Sequence, residues 1–447
     1  MSKRLILVLA VAFVLSVACG AYAEVQNVKV SGDITAYGII RNLTLKDSKA
    51  GGNSWDKDLA TITRVRVDAD LTDNVIATVR LLNERYWGNE TDNVGTTNAH
   101  NTEIDLDLAY VTLKEFLYSP LTLTVGRQEL HFGNEMIVGD PDTNNQVSTA
   151  SAFSGRDADL SARKSFDAIR LTLNYDPLIV DILGAKIREN TVNLNDDTDL
   201  YGINANYALS NRTTLEGYFF SKNTGLKASG EANKYDRVHT LGARMVTQPI
   251  DNLTYQLEGA YQFGRYEPAL ATPRAAQRSA FAIETALTYD MKDRRYAPSI
   301  TALYAFFSGD KGNNKTYRGW DPMYENQKFG DIANALFNQS NAHIAGLVGS
   351  VRPVEDVTLK GEYYAYWWDK SYGDGQVIQT VRNPTTANLT TKHRKFAGQE
   401  IDVTATYDYT EDVQFALLGG VLFPGASFAD GSNNMASELI GSMKVTF

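Results

Sequence analysis

The connections between the apolar segments of this chain alternate, short then long, from one end to the other. That alternation restricts the fold more than any motif does. The short set consists of turn formers: Thr72-Asp73-Asn74, Tyr118-Ser119-Pro120, Asp176-Pro177, Ser210-Asn211, Gln248-Pro249-Ile250-Asp251, Arg352-Pro353-Val354-Glu355 and Thr410-Glu411-Asp412. Between them lie long polar stretches at 43–58, 88–102, 131–164, 189–198, 223–236, 310–340 and 370–397. The segments themselves place an apolar residue at every second position, as in Thr61-Ile62-Thr63-Arg64-Val65-Arg66-Val67-Asp68 and Ile401-Asp402-Val403-Thr404-Ala405. That is the period of a strand with one greasy and one polar face. There are about eighteen such segments of roughly 10–14 residues, the length of a tilted membrane strand. A soluble sandwich has no reason to sort its connections by length, whereas an outer-membrane barrel keeps short periplasmic turns and long extracellular loops. The sequence therefore predicts an all-β fold: a transmembrane antiparallel β-barrel of about eighteen strands in the bacterial outer membrane.

Both ends of the chain agree with this. The start has basic Lys3 and Arg4, an apolar run from Leu5 to Ala18, and the small-residue site Ala21-Tyr22-Ala23. This is the pattern of a secretory signal peptide over residues 1–23, leaving 24–447 as a single barrel domain. Cys19 offers a rival lipoprotein signal, but Ser16 stands where Leu would be needed. Cleavage after Ala23 would leave no cysteine in the mature chain. At the other end, Leu439, Gly441, Met443, Val445 and the terminal Phe447 share one face of a strand. Such a strand would close the barrel and be recognised by the barrel-assembly machinery.

Composition narrows the class. Loss of Lys3 and Arg4 takes the net charge from −10 to about −12, which argues against a nucleic-acid partner. No apolar run is long enough for a membrane helix. The 24 Tyr, 18 Phe and 5 Trp suit aromatic girdles at the two membrane interfaces.

A barrel of this size is expected to hold a water-filled lumen, with inward residues setting what passes. A charge on the lipid face near the midplane costs about 2–4 kcal/mol for Arg or Lys, so charges within alternating strands are expected to point inward. This places Arg64, Arg66, Asp68 and Asp70 inside, opposite Val65 and Val67. Arg80 and Glu84 follow, and then Asp105 and Asp107 opposite Ile104, Leu106 and Leu108. The same rule puts Arg170, Lys186, Arg188, Glu216, Arg244, Glu258, Glu284, Lys360, Glu362 and Asp402 inside. Arg127 shares parity with Val125 and would face lipid unless Gly126 marks a bulge. Opposed ladders of arginines and carboxylates would orient polar solutes; the bland alternative is that the charges pair and stiffen the wall.

The segment Asp107-Leu108-Ala109-Tyr110-Val111-Thr112-Leu113-Lys114, followed by Val125-Gly126-Arg127-Gln128-Glu129-Leu130-His131-Phe132-Gly133-Asn134-Glu135, resembles the alginate-export family of outer-membrane porins. The resemblance is specific over roughly 105–140. It implies an 18-stranded monomeric barrel passing polysaccharide or small polar solutes, and a pore-lining role for Arg127.

The long stretch 131–164 is the expected constriction loop, carrying Glu135, Asp140, Asp142, Arg156, Asp157, Asp159, Arg163 and Lys164. Tyr364, Tyr366 and Trp368 share one face and form a candidate sugar-stacking track. Catalysis finds no support: the five histidines are scattered, without metal-ligand spacing, and no nucleophile elbow occurs. Asp196-Asp197-x-Asp199 lacks the glycine and glutamate of an EF-hand loop, so it reads as solvated rather than as a Ca²⁺ or lipopolysaccharide bridge. No cofactor and no metal are expected. The function expected is a passive channel for hydrophilic solutes, anionic or carbohydrate-like. Its partners are outer-membrane lipid and lipopolysaccharide, the assembly machinery, and the solutes themselves. The rivals are a barrel enzyme of the lipase or protease type and a plugged adhesive barrel.

Overall fold

The computed structural model describes residues 27–46, 55–88, 104–142, 157–189, 197–226, 234–267, 275–312, 315–378 and 389–447. The expected signal segment 1–23, Arg156 and Asp196 lie outside these residues. Eighteen long strands follow one another. They are β1 (Asn27–Asn42), β2 (Asp56–Thr72), β3 (Val75–Tyr86), β4 (Asp105–Leu113), β5 (Leu121–Glu129) and β6 (Ser165–Asn174). Next come β7 (Leu178–Arg188), β8 (Thr198–Ser210), β9 (Thr213–Leu226), β10 (Lys234–Ile250), β11 (Leu253–Tyr266) and β12 (Ala276–Asp290). The last are β13 (Ser299–Phe307), β14 (Ala342–Val354), β15 (Val357–Trp368), β16 (Phe396–Asp408), β17 (Val413–Pro424) and β18 (Ala436–Thr446). Each pairs antiparallel with its chain neighbours, and β18 returns to β1, with Asp33 opposite Thr446 and Asn42 opposite Ser437. The sheet is a closed antiparallel barrel, so no edge is left unpaired. At the seam Gly32 and Phe447 exchange backbone hydrogen bonds of 2.8 and 3.0 Å.

Turns and loops fall on opposite rims. The rim that holds both ends of the sheet has the turns 73–74, 211–212, 251–252 and 355–356, with Asn252 in the left-handed conformation that Asn tolerates. It also has a longer turn, 291–298, that the sequence pattern did not single out. The other rim carries the long loops, including 267–275 and 425–435, which were also not among the polar stretches.

The outer face is apolar. Ile169, Ile182, Ile203, Leu241, Ile283, Leu347 and Val403 are all exposed on it, with aromatic residues above and below. On the loop side the belt includes Tyr201, Phe263, Phe281, Tyr304 and Trp367; on the turn side it includes Tyr207, Tyr289, Tyr407 and Phe415. Register shifts break simple alternation at several places, one of them in β4. β4 pairs with β3 through a register shift between Arg80 and Leu81, so Leu108 is buried instead of facing lipid with Leu106.

The lumen is not simply a water-filled tube. Its loop-side half holds an apolar core of Leu130, Phe132, Met136, Ile137, Val138, Trp320, Met323, Tyr324, Ile332 and Leu336, packed against Phe166, Phe220, Val238 and Phe307 of the wall. The first five and the next five of these core residues come from two loops, whose described parts 130–142 with 157–164 and 315–341 fold into the barrel. The second loop carries a short helix, α1 (Asp331–Leu336).

Candidate functional site

The two inward loops meet inside the barrel. Val138 and Tyr324 form a parallel β-bridge, the Gly139 N–H donates to Tyr324 O (2.7 Å), and the Tyr324 N–H donates to Ile137 O (3.0 Å). Glu135 receives Asn326 Nδ2 at 2.6 Å and lies 2.9 Å from His131 Nδ1.

What anchors these loops to the wall is a set of inner-face carboxylates that accept loop N–H groups. Gly133 N donates to Glu216 Oε1 (2.9 Å), Asn134 N to Glu258 Oε2 (3.2 Å) and Asn134 Nδ2 to Glu284 Oε1 (2.7 Å). Ala162 N and Ser161 Oγ donate to Glu84 at 2.7 and 3.1 Å. Ile332 N and Ala333 N at the start of α1 donate to Glu400 at 2.7 and 2.9 Å. Strand residues spaced around the barrel thus hold loop segments far from them in sequence.

The inner arginines are paired. Arg64 meets Asp33 (2.8 Å), Arg66 meets Asp68 (2.7 Å), and Arg80 meets Asp107 (2.5 Å) and Glu129. Arg170 meets Asp181 (2.8 Å), Arg244 lies 3.5 Å from Glu216 and 3.7 Å from Glu258, and Lys360 meets Glu362 (2.7 Å). Asp105, at the start of β4, is half-buried. In the first inward loop, Asp140 pairs with Lys164, Asp142 with Arg163 (3.5 Å), and Asp157 with Arg41 (2.9 Å) and Tyr86 Oη (2.5 Å). Burial pushes the Asp142 and Asp157 carboxyls up despite these cations. Burial acts on Asp321 as well, but Lys222 (2.8 Å) and Arg278 outweigh it and hold that carboxyl below the usual range.

Three expected pore residues are elsewhere. Arg127, Asp167, Lys186 and Asp199 stand opposite one another in an unbroken row across β5–β8. They share the face of exposed Val125, Ile169, Ile182 and Tyr201, so Arg127 and Lys186 point outward at the loop-side rim. Arg127 reaches Asp167 at 3.1 Å and Lys186 reaches Asp199 at 2.8 Å. Gly126 makes no bulge. Pairing is continuous through it, and a Cβ there would stand 2.2 Å from Ala109 O, which is why glycine is needed. Arg188 follows a register shift and is exposed at the rim. The inward rule fails here because the cost of a lipid-face charge falls to about 0–1 kcal/mol near the interface.

Tyr364, Tyr366 and Trp368 face inward but are buried: Tyr366 Oη donates to Phe329 O of the second loop (2.8 Å), and Trp368 packs edge-on against Phe337 of that loop while its Nε1 donates to Ser427 Oγ of the 425–435 connection (3.1 Å). Their faces are covered, so they form no stacking track. Two features do not stand out in the sequence pattern: Arg41, a fully buried side chain that binds Asp157, Asp159 (2.7 Å) and Glu438 (2.8 Å), and the inward course of residues 320–337. The available signal was the density of Trp320, Met323, Tyr324, Phe329, Ile332 and Phe337, too apolar for a surface loop. Above the constriction a cavity of about 900 Å³ opens between Tyr266, Lys311, Tyr317, Asp369, Lys370 and Lys395.

Comparison with solved structures finds the same fold in Pseudomonas aeruginosa outer-membrane proteins. OccK2 (OpdF), solved in complex with glucuronate, gives a TM-score of 0.58 at 10% identity over 95% of this chain and 99% of that one. The outer membrane protein OpdK gives 0.55 at 9% identity over 95% and 100%. OpdQ gives 0.54 at 13% identity over 95% and 98%. Comparison with curated proteins gives no sequence match. The family model described as alginate export matches residues 44–442, nearly the whole barrel. A match over that share of its length makes the chain a member of the alginate export family, a channel-type β-barrel of the bacterial outer membrane.

Proposed function

We propose that this barrel passes small hydrophilic solutes, with a preference for anionic, uronate-like ones, through the space beside the two inward loops. The observation that carries this reading is an asymmetry within the inner ion pairs. In most of them the cation is the more solvent-exposed partner: 36% for Arg66 against 25% for Asp68, 29% against 6% for Arg170 and Asp181, and 46% against 11% for Lys360 and Glu362. Lys328 and Asp331 repeat it at 50% and 16%. The order is reversed in Arg80 with Glu129, Arg163 with Asp142, Lys222 with Asp321, and Arg278 with Asp236 and Asp321. At Arg66, Arg170, Lys328 and Lys360 a solute in the lumen therefore meets the guanidinium or ammonium group first, with the paired carboxylate less exposed behind it. The glucuronate in OccK2 is a carboxylated sugar, and the fold shared with that protein adds support to the substrate class.

The lining set under this reading is Arg64, Arg66, Arg80, Glu84, Asp107, Arg170, Arg244, Glu258, Lys360 and Glu362, with residues 131–142 as the constriction. The outward row Arg127–Asp167–Lys186–Asp199 supports contact with the charged headgroups of lipopolysaccharide, at the rim where its sugars and phosphates begin. In planar bilayers under a KCl gradient, the purified protein is expected to give an anion-selective reversal potential. Replacement of Arg66, Lys328 and Lys360 by Gln should move it towards cation selectivity, and millimolar glucuronate should reduce the current. A protein that carries no current, or whose cation preference is indifferent to those substitutions, would sink the reading.

A further inference from the structure

One row of facing residues on the inner wall holds two buried carboxylate oxygens that meet no donor among the described residues. Asp402 on β16 stands opposite Gly420 on β17, and Gly420 stands opposite Glu438 on β18. Asp331, the first residue of α1, comes down onto this row, so that one carboxylate oxygen from each of Asp331, Asp402 and Glu438 lies within 4.8 Å of the other two. Asp402 and Glu438 are buried, at 0% and 4% exposure. Their Oδ1 and Oε1 atoms have no hydrogen-bond partner among the described residues. Both orphan oxygens converge over the one residue that has no side chain: a Cβ on Gly420 would stand 2.6 Å from Asp402 Oδ1 and 3.1 Å from Glu438 Oε1.

The remaining oxygens are committed. Glu438 Oε2 accepts from Arg41 Nε (2.8 Å) and Asp331 Oδ1 from Lys328 (2.6 Å). The Asp331 N–H approaches Asp402 Oδ2 at 3.4 Å. Charge does not balance around the row. Asp157, Asp159, Asp331, Glu400, Asp402 and Glu438 surround two cations, Arg41 and Lys328, and three of those acids already share Arg41. Buried carboxylate oxygens without a donor are costly, and an unpaired buried charge more so.

We propose that Asp331, Asp402 and Glu438 bind a divalent cation of the Ca²⁺ class, which fastens α1 of the second inward loop to the β16–β18 wall. Spacing and donor type both favour it. Ca²⁺ takes carboxylate oxygens at about 2.3–2.6 Å in a flexible geometry, so two ligands across the ion stand up to roughly 5 Å apart. Mg²⁺, at about 2.0–2.1 Å with octahedral demands, suits a tighter set. An all-oxygen donor set excludes the softer metals that prefer thiolate or imidazole. Asp331 is partly open to the lumen, which supplies the path for the ion and for water ligands.

The test uses the full-length barrel in detergent, stripped with EDTA, with Tb³⁺ as a luminescent Ca²⁺ surrogate excited through nearby Tyr366 and Tyr364. The expected result is one saturable Tb³⁺ site per chain, displaced by Ca²⁺. Its affinity should fall at least about tenfold in Asp402→Asn, Glu438→Gln and Gly420→Ala, since losing a charged ligand or filling the cradle weakens a Ca²⁺ site. Folding is scored by heat-modifiable migration. If the wall variants do not fold, Asp331→Asn, whose side chain belongs to the loop, decides the question. Absence of saturable emission from the wild type at neutral pH, or wild-type affinity in folded variants, overturns the proposal.

Discussion

Arg41 shows how much one residue holds. Its guanidinium is fully buried and binds three carboxylates from three places: Glu438 on the neighbouring strand across the seam, and Asp157 and Asp159 on the returning limb of the first inward loop. Removing one partner of a buried ion pair typically costs about 3–5 kcal/mol, because the remaining charge has neither water nor a counter-ion. Arg41→Met is therefore expected to destabilise the barrel by about that amount in urea unfolding followed by tryptophan fluorescence. Adding Asp157→Asn and Asp159→Asn should recover part of the loss, since fewer charges are then stranded. A single variant as stable as the wild type would mean that solvent reaches this cluster.

Among the elements, the first inward loop carries a titratable contact at His131. The carboxylates of Glu129, 3.9 Å from Nε2, and Glu135, 2.9 Å from Nδ1, hold the His131 imidazole above its ordinary value of 6.5. The protonated form is the one the folded loop favours. Its contribution is therefore complete below about pH 6.5 and is lost as pH rises through the raised value. Open-channel current noise is expected to grow on going from pH 6 to pH 9, and His131→Gln should flatten that dependence. An unchanged pH profile in the variant would refute the role. The elements also show what a sequence can display. Period-two strands and Asn, Asp or Pro turns are local chemistry, and Thr61–Asp68 or Thr410–Asp412 reveal them directly. The destination of a loop is not local. Gly133 and Asn134 find acceptors on Glu216, Glu258 and Glu284 only after β9, β11 and β12 are in place. Glu216, Glu258 and Glu284 could be assigned a face but not a task. Arg127 and Lys186 were misread for a different reason: the energy that forces charges inward fades towards the membrane surface.

At the level of the whole molecule, the wall is a cylinder whose tolerance of charge varies with depth. Ile203 on β8 lies opposite Ile182 on β7, well inside the apolar band between the two aromatic belts. Ile203→Arg is expected to cost about 2–4 kcal/mol in refolding equilibria in lipid, whereas Lys186→Arg, at the rim, should stay within about 1 kcal/mol. Equal costs at the two positions would contradict the orientation of the barrel in the membrane.

The ties between Arg41, Glu438 and the limb carrying Asp157 and Asp159 also bear on how such a cylinder is made. Arg41 is near the end of the first strand and Glu438 near the start of the last, so their pair exists only once the sheet has closed on itself. The same guanidinium anchors the limb that narrows the bore. Closing the wall and fastening residues 157–159 inside it therefore depend on one and the same buried cation.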